Sequence, residues 1–258
     1  MRELEAKIPE LESMKKYPKQ LFFSGNLELL DKTKISIVGS RKPSKYSRLI
    51  THKLASSLSK NGICVVSGGA MGIDAIAHKA SGASNTIAVL PCGIDIKYPA
   101  INKTLLSDIE NSGLLLSQFD AGFKATPWSF VVRNEVVVAL GEVLVVIEAE
   151  LNSGSLRSID IAIKMGKEIF VIPHRVGESQ ATNELLQSGK AKAIYDIDEF
   201  VSIFASSDIA DKKVDDFLEF CKNNPSYDET LKLYPQKLFE AELSGDITIL
   251  NGRVLSNL

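Results

Sequence analysis

Ile63-Cys64-Val65-Val66-Ser67-Gly68-Gly69-Ala70-Met71-Gly72-Ile73-Asp74 reads as an apolar strand, a glycine-rich turn and the start of a helix. Three glycines within five residues let something approach the backbone closely. The following helix aims free N–H groups back at the turn, which suits an anion. Three more turns have the same setting: Val38-Gly39-Ser40-Arg41, Leu90-Pro91-Cys92-Gly93 and Asn152-Ser153-Gly154-Ser155. In a parallel sheet such turns share one edge. One anion-binding turn suggests a nucleotide; a row suggests a ligand carrying several phosphates in line. Adjacent strands lie about 4.8 Å apart, so neighbouring turns are spaced roughly like successive phosphates of an extended strand.

Outward from this stretch, strand and helix signals alternate. Strands are predicted at Ile35–Val38, Ile63–Val66, Thr86–Leu90, Leu114–Ser117, Val143–Glu148 and Glu168–Ile172. Helices are predicted at Tyr46–Lys60, Gly72–Ala80, Lys103–Glu110, Ser129–Leu140 and Ser155–Met165. The first of these places Leu49, Ile50, Leu54 and Leu58 on one face, and Asn61-Gly62 closes it. Asn183–Gln187, Ala193-Ile194 and Asp198–Phe204 complete the pattern. Strands apolar throughout, alternating with helices, imply an α/β fold: an extended Rossmann-like parallel sheet flanked by helices, over residues 32–205. Residues 1–31 read as a strap with the aromatic anchors Tyr17, Phe22 and Phe23. Residues 206–213 read as a polar linker. Residues 214–258 read as a small C-terminal winged-helix-like domain, with helices at Val214–Asn223, Tyr227–Leu233 and Pro235–Ser244, then a hairpin about Asn251-Gly252.

Composition bounds the function. The chain has 258 residues, 45% hydrophobic and 24% charged, with formal net charge −2. Such a charge does not by itself point to nucleic acid, so that reading must rest on local sites. No apolar run is long enough for a transmembrane helix, and the charged start lacks a signal-peptide core; the expectation is no membrane and a cytoplasmic protein. Cys64, Cys92 and Cys221 form neither a disulfide framework nor a zinc pattern.

Among candidate residues, Gly39-Ser40-Arg41 combines backbone N–H groups, a hydroxyl and a guanidinium, which can grip a phosphate; a tight turn with a surface arginine is the bland alternative. The chain lacks both Gly-x-Gly-x-x-Gly and Gly-Lys-Ser/Thr, which argues against a dinucleotide fingerprint and a P-loop. Asp74 and His78 share a helix face, as a catalytic or metal pair or, more simply, as a capping Asp and a buried His. Lys124, Trp128, Phe130, Arg133 and Asn134 mix cations with aromatics that can stack bases or anchor the core. Arg133-Asn134 inside an apolar helix needs partners, from the backbone or from a ligand. Glu148 and Glu150 can act as acid or base, bind a ribose, or cap the next helix. No catalytic residue, metal ligand or cofactor is assigned.

With these residues in view, the chain resembles the DNA-processing protein A family (DprA, also called Smf). The resemblance rests on Ile37-Val38-Gly39-Ser40-Arg41, on Val65-Val66-Ser67-Gly68-Gly69-Ala70 with Gly72-Ile73-Asp74 and Ala77-His78, and on Thr86–Leu90. It continues through Gly93-x-Asp95, Tyr98-Pro99, Asn102, Phe130, Arg133-Asn134, Val146-x-Glu148-Ala149 and Ser153-Gly154-Ser155-Leu156. It implies a non-catalytic single-stranded DNA binder that dimerises, protects incoming strands during natural transformation and helps load RecA recombinase on them. Carried over by motif, the site is Gly39, Ser40, Arg41, Ser67, Gly68, Gly69, Lys124, Phe130, Arg133 and Asn134, with Ser153 and Gly154 from the last turn. The chain departs from the family at Glu135, where the motif has a second arginine, and at His174, where it has glycine. The family's N-terminal helical domain is expected to be absent or reduced to the strap. The C-terminal domain is not visibly basic, and its contact stays open between duplex DNA, a protein and dimer support. The alternative is a phosphoribohydrolase-like enzyme on a nucleotide monophosphate. That class needs a Pro-Gly-Gly-x-Gly-Thr run, where this chain has Pro91-Cys92-Gly93.

Overall fold

The structure is a computed structural model that describes residues 2–151, 153–205, 216–221, 223–244, 246–250 and 252–256. It divides into two units, residues 1–205 and 206–258.

The first unit is built on a nine-stranded sheet. Its strands are β1 (Arg2–Glu3), β2 (Phe22–Gly25), β3 (Lys34–Val38), β4 (Cys64–Ser67), β5 (Thr86–Leu90), β6 (Leu114–Ser117), β7 (Val143–Val146), β8 (Ile169–Val171) and β9 (Lys192–Ala193). The helices are α1 (Lys45–Lys60), α2 (Ile73–Ser81), α3 (Lys103–Ser112), α4 (Pro127–Leu140), α5 (Gly154–Lys164), α6 (Gln180–Gln187) and α7 (Ile197–Ser202). The spatial order is β1-β2-β6-β5-β4-β3-β7-β8-β9. From β6 to β9 all pairs are parallel. The parallel part starts at β3, builds outward to β6, then returns to the other side of β3 as β7. The switch point is therefore the gap between β3 and β7, where an open α/β sheet leaves a crevice beyond its strand ends.

Alternation decides which side chains face which layer. Ile35, Ile37, Val65, Val143 and Val145 pack toward α1, α2 and α7, while Val38, Cys64, Val66, Leu144 and Val146 pack toward α4, α5 and α6. Helix α4 carries five valines, each costing up to about 0.7 kcal/mol of helix propensity. Val136, Val137 and Val138 are buried, and each such burial returns about 1.5–3 kcal/mol, so packing overrides propensity. Pro127 at its first turn and a reciprocal Thr126–Ser129 capping box start the helix two residues earlier than predicted.

Three expectations change. The strap is part of the sheet: Phe22–Gly25 pairs antiparallel with β6, and β1 pairs antiparallel with β2. Two antiparallel strands thus edge an otherwise parallel sheet. Gly25, at φ +113°, is needed there, because a Cβ would lie 2.1 Å from the Gly113 carbonyl oxygen. Leu49 is 54% exposed, and the buried row of α1 is Ser47, Thr51, Leu54, Ala55 and Leu58. Five residues of helix place Leu49 about 140° from Leu54, off that face. Finally, Trp128 is 62% exposed, with its ring edge-on to Phe119, so it is not a core anchor.

In the second unit, α8 (Asp216–Cys221), α9 (Tyr227–Leu233) and α10 (Pro235–Ser244) precede the antiparallel strands β10 (Ile247–Leu250) and β11 (Arg253–Ser256). Phe217, Cys221, Leu238, Ala241, Ile247 and Val254 form its own core. The predicted linker, 206–213, lies outside the described residues. Of the described residues, no helix is long and apolar enough to cross a membrane.

Candidate functional site

The four turns follow β5, β4, β3 and β7, which are consecutive in the sheet. They form one rim, stitched together by backbone. Ile73 N–H donates to the Ser40 carbonyl at 3.1 Å, and Ser40 N–H donates to the Glu148 carbonyl at 2.8 Å. Gly72 permits this approach, since a Cβ there would lie 2.3 Å from the Ser40 oxygen.

A cleft of about 440 Å³ opens at the switch point. Gly39, Ser40 and Arg41 form one wall, Ser153, Gly154 and Arg157 another, and Phe130, Arg133 and Asn134 of α4 a third. Three arginines and a single acidic residue, Asp74, are among the residues that line it. The Arg41 and Arg133 guanidinium carbons lie 5.3 and 5.9 Å from the Phe130 ring centre, within cation–π range. The N-terminus of α5 adds partial positive charge, and Gly154 leaves it open, with nothing within 4 Å of where a Cβ would stand. The Ser153 hydroxyl is buried and has no partner among the described residues.

Arg133 is only 5% exposed. Its Nη1 lies 3.7 Å from Asp74 Oδ2, and its Nε has no hydrogen-bond partner among the described residues. Burial pushes the Arg133 guanidinium down and the Asp74 carboxyl up, and each group's charge opposes the other's shift. The guanidinium occupies the space over Gly68, where a Cβ would stand 0.9 Å from Nη1.

This arrangement overturns one expectation. The N–H groups of the Gly68-Gly69-Ala70 turn do not wait for a phosphate. Gly68 and Ala70 donate to Asp74 at 3.2 and 3.4 Å, and Gly69 donates to His78 Nε2 at 3.2 Å. Asn102 donates to the Gly69 and Ala70 carbonyls at 3.0 Å. Ser67 is fully buried, its hydroxyl donating to the Ile37 carbonyl at 2.7 Å. Ser67 and Gly69 therefore line no cleft; they hold the floor on which Arg133 rests. Gly68 borders a small notch beside Phe130. The turn after β5 is likewise closed: Gly93 N–H donates to the Phe123 carbonyl at 3.0 Å. Lys124 is exposed and lines neither depression.

Asp74 and His78 are a structural pair. The Thr86 hydroxyl donates to the Val65 carbonyl, so His78 Nδ1, 2.7 Å away, is the protonated nitrogen and Nε2 the acceptor. Burial, helped by the Arg133 charge, drops the His78 pKa to about 3.

The two glutamates weighed for acid–base work are also committed. Glu148 Oε2 accepts from Ser44 N–H at 3.0 Å, and Glu150 Oε1 from Ser179 N–H at 3.1 Å. Burial works against the Glu148 carboxylate, but hydrogen bonds from Ser47 and Ser44 outweigh it and hold the group below the usual range.

Arg157 and Ser158 complete the cleft and were not singled out from the sequence. Their signal was helical spacing: Arg157 stands three residues after Gly154, on the same face of α5.

A family model described as DNA recombination-mediator protein A matches residues 4–205. The DNA processing protein DprA of Streptococcus pneumoniae is 38% identical over 176 residues, covering 67% of this chain and 62% of the relative. That of Bacillus subtilis is 34% identical over 194 residues, 73% of this chain and 65% of the relative. The chain thus spans somewhat less than two thirds of the length of either. The solved DNA processing protein A from Helicobacter pylori has a TM-score of 0.77 at 39% identity, covering 78% of this chain and 94% of that one. With the match running through every segment that lines the cleft, this chain belongs to the DNA recombination-mediator protein A family.

Proposed function

We propose that this protein binds single-stranded DNA across the switch-point cleft and acts as a non-catalytic recombination mediator. In this reading it protects the strand during natural transformation, helps load RecA recombinase on it, and works as a homodimer in the cytoplasm. The observation that carries the DNA reading is a single cleft lined by Arg41, Arg133, Arg157 and Phe130 at the open N-terminus of α5, with Arg41 and Arg133 beside the Phe130 ring. Guanidiniums and helix N–H groups suit phosphates, and an aromatic ring suits an unpaired base. The Helicobacter pylori relative, described for its single-stranded DNA binding mode, covers this fold. A nucleotide hydrolase finds little support, because Glu148 and Glu150 are tied to backbone N–H groups. The C-terminal unit, winged-helix-like in its element order, carries over residues 214–258 Asp215, Asp216, Glu219, Asp228, Glu229, Glu240, Glu242 and Asp246 against Lys222, Lys232, Lys237 and Arg253. That balance favours a protein partner over duplex phosphates.

Fluorescence anisotropy with oligo-dT over a salt series tests the proposal. Affinity falls as salt rises, with a slope of about −0.7 for each phosphate neutralised. Arg41→Ala weakens every oligo-dT length and flattens that slope by about 0.7. Phe130→Ala costs about 1–3 kcal/mol of binding in a variant whose melting curve is unchanged. Competition and hydrolysis of AMP at low concentration, without salt-dependent oligomer binding, would instead support the hydrolase.

A further inference from the structure

We propose that the notch beside Phe130 receives the C5-methyl group of a thymine, which gives the bound strand a thymine preference at one position. This rests on the single-stranded DNA reading of the cleft. The notch is walled by Met71, Pro91, Tyr98, Pro99 and Phe130, and it shares Arg41, Ala70 and Phe130 with the main cleft. It is thus the next station along the rim, toward β5, for a strand leaving the guanidiniums.

Its size selects the occupant. The volume is about 30 Å³. A single water needs roughly 10–15 Å³, so the notch holds a methyl-sized group and no aromatic ring. Its chemistry selects too. The backbone groups at its floor are already used: Gly68 and Ala70 N–H by Asp74, and the Ala70 carbonyl by Asn102. Apart from Arg41, shared with the main cleft, the side chains that wall it are those of Met71, Pro91, Tyr98, Pro99 and Phe130. Met71 and Tyr98 are 43% and 42% exposed, large apolar groups at the mouth, and the Tyr98 ring meets Phe130 edge-on at 5.8 Å. A methionine adapts its shape to a small insert. Among DNA bases only thymine offers a methyl group at its edge, and apolar contact is how proteins read it.

Oligo-dT and oligodeoxyuridine of equal length differ only in that methyl. Anisotropy titrations of the intact protein with both are expected to show dT bound about fourfold more tightly, the value of one buried methyl. Met71→Ala brings the ratio toward one by lowering dT affinity toward that of deoxyuridine; a ratio unchanged in that variant overturns the methyl site. Both oligomers bound with equal affinity overturns the methyl site and leaves the cleft reading standing. Neither oligomer bound overturns both.

Discussion

Arg133→Met is expected to lower the unfolding free energy by about 3–5 kcal/mol, far more than an ordinary surface change. The cause is what it leaves behind. Asp74 is 7% exposed, and its nearest cation is Arg133 at 3.7 Å. Without that charge the carboxylate keeps the Gly68 and Ala70 N–H groups and the Ser67 hydroxyl, none of them charged. Asp74→Asn in the same chain removes the stranded charge while its amide oxygen still accepts from those donors. The double variant is therefore expected to recover most of the loss, a coupling readable by urea denaturation of the four proteins of the cycle. Additive effects would show that the two groups do not form a unit.

The double variant also separates stability from binding. The pair carries no net charge in either form, so total charge is unchanged. Oligo-dT affinity is nonetheless expected to fall at least tenfold, because a charge-assisted contact at Arg133 is worth about 1.5–3 kcal/mol. Gly68→Ala reaches the same site from the other side. Its new Cβ would overlap Nη1, so the guanidinium must move although no charge is removed. Wild-type affinity in both proteins would take Arg133 out of the DNA site.

The layered sheet was legible because its strands are buried on both faces and each ends in small residues. The order β5-β4-β3-β7, which lines up the four turns, depends on crossover handedness and pairing that no single segment states. β2 escaped because Phe22-Phe23-Ser24-Gly25 is four residues long and pairs with a strand some ninety residues later. Gly39-Ser40-Arg41, Phe130 and Arg133-Asn134 were legible as chemistry out of place: cations and an aromatic at a helix entry or in an apolar helix. Gly68-Gly69 carries less information than its spacing suggests, for a physical reason. Glycine permits close approach without naming the visitor, and here the visitors are the protein's own Arg133, Asp74 and His78. Lys124, carried over by motif, stands in the loop before α4 and is not among the residues that line the cleft.

His78 supplies a test of that internal occupancy that needs no DNA. Its pKa falls from 6.5 to about 3 on folding, through burial first and then the Arg133 charge. Between those values the unfolded chain takes up a proton that the folded chain refuses. Stability is thus unaffected above pH 6.5, falls as pH drops below it, and stops falling below about pH 3. The loss from pH 6.5 to 5.5 is expected to be about 1 kcal/mol and to steepen to about 1.4 kcal/mol per unit beyond. Glu148, held below its usual range, adds a loss of the same sign, but only under pH 4.5, while Asp74, pushed up by burial, acts in the opposite direction, so the histidine's share is the difference between the wild type and a His78 variant. In His78→Gln the amide oxygen still accepts from Gly69 N–H and no proton is taken up, so the slope between pH 6.5 and 5.5 flattens. Urea midpoints at three pH values in both proteins measure it. Equal slopes would mean that His78 can be protonated in the folded protein. An imidazolium cannot accept from Gly69 N–H, so the glycine turn would then be free to meet a phosphate after all.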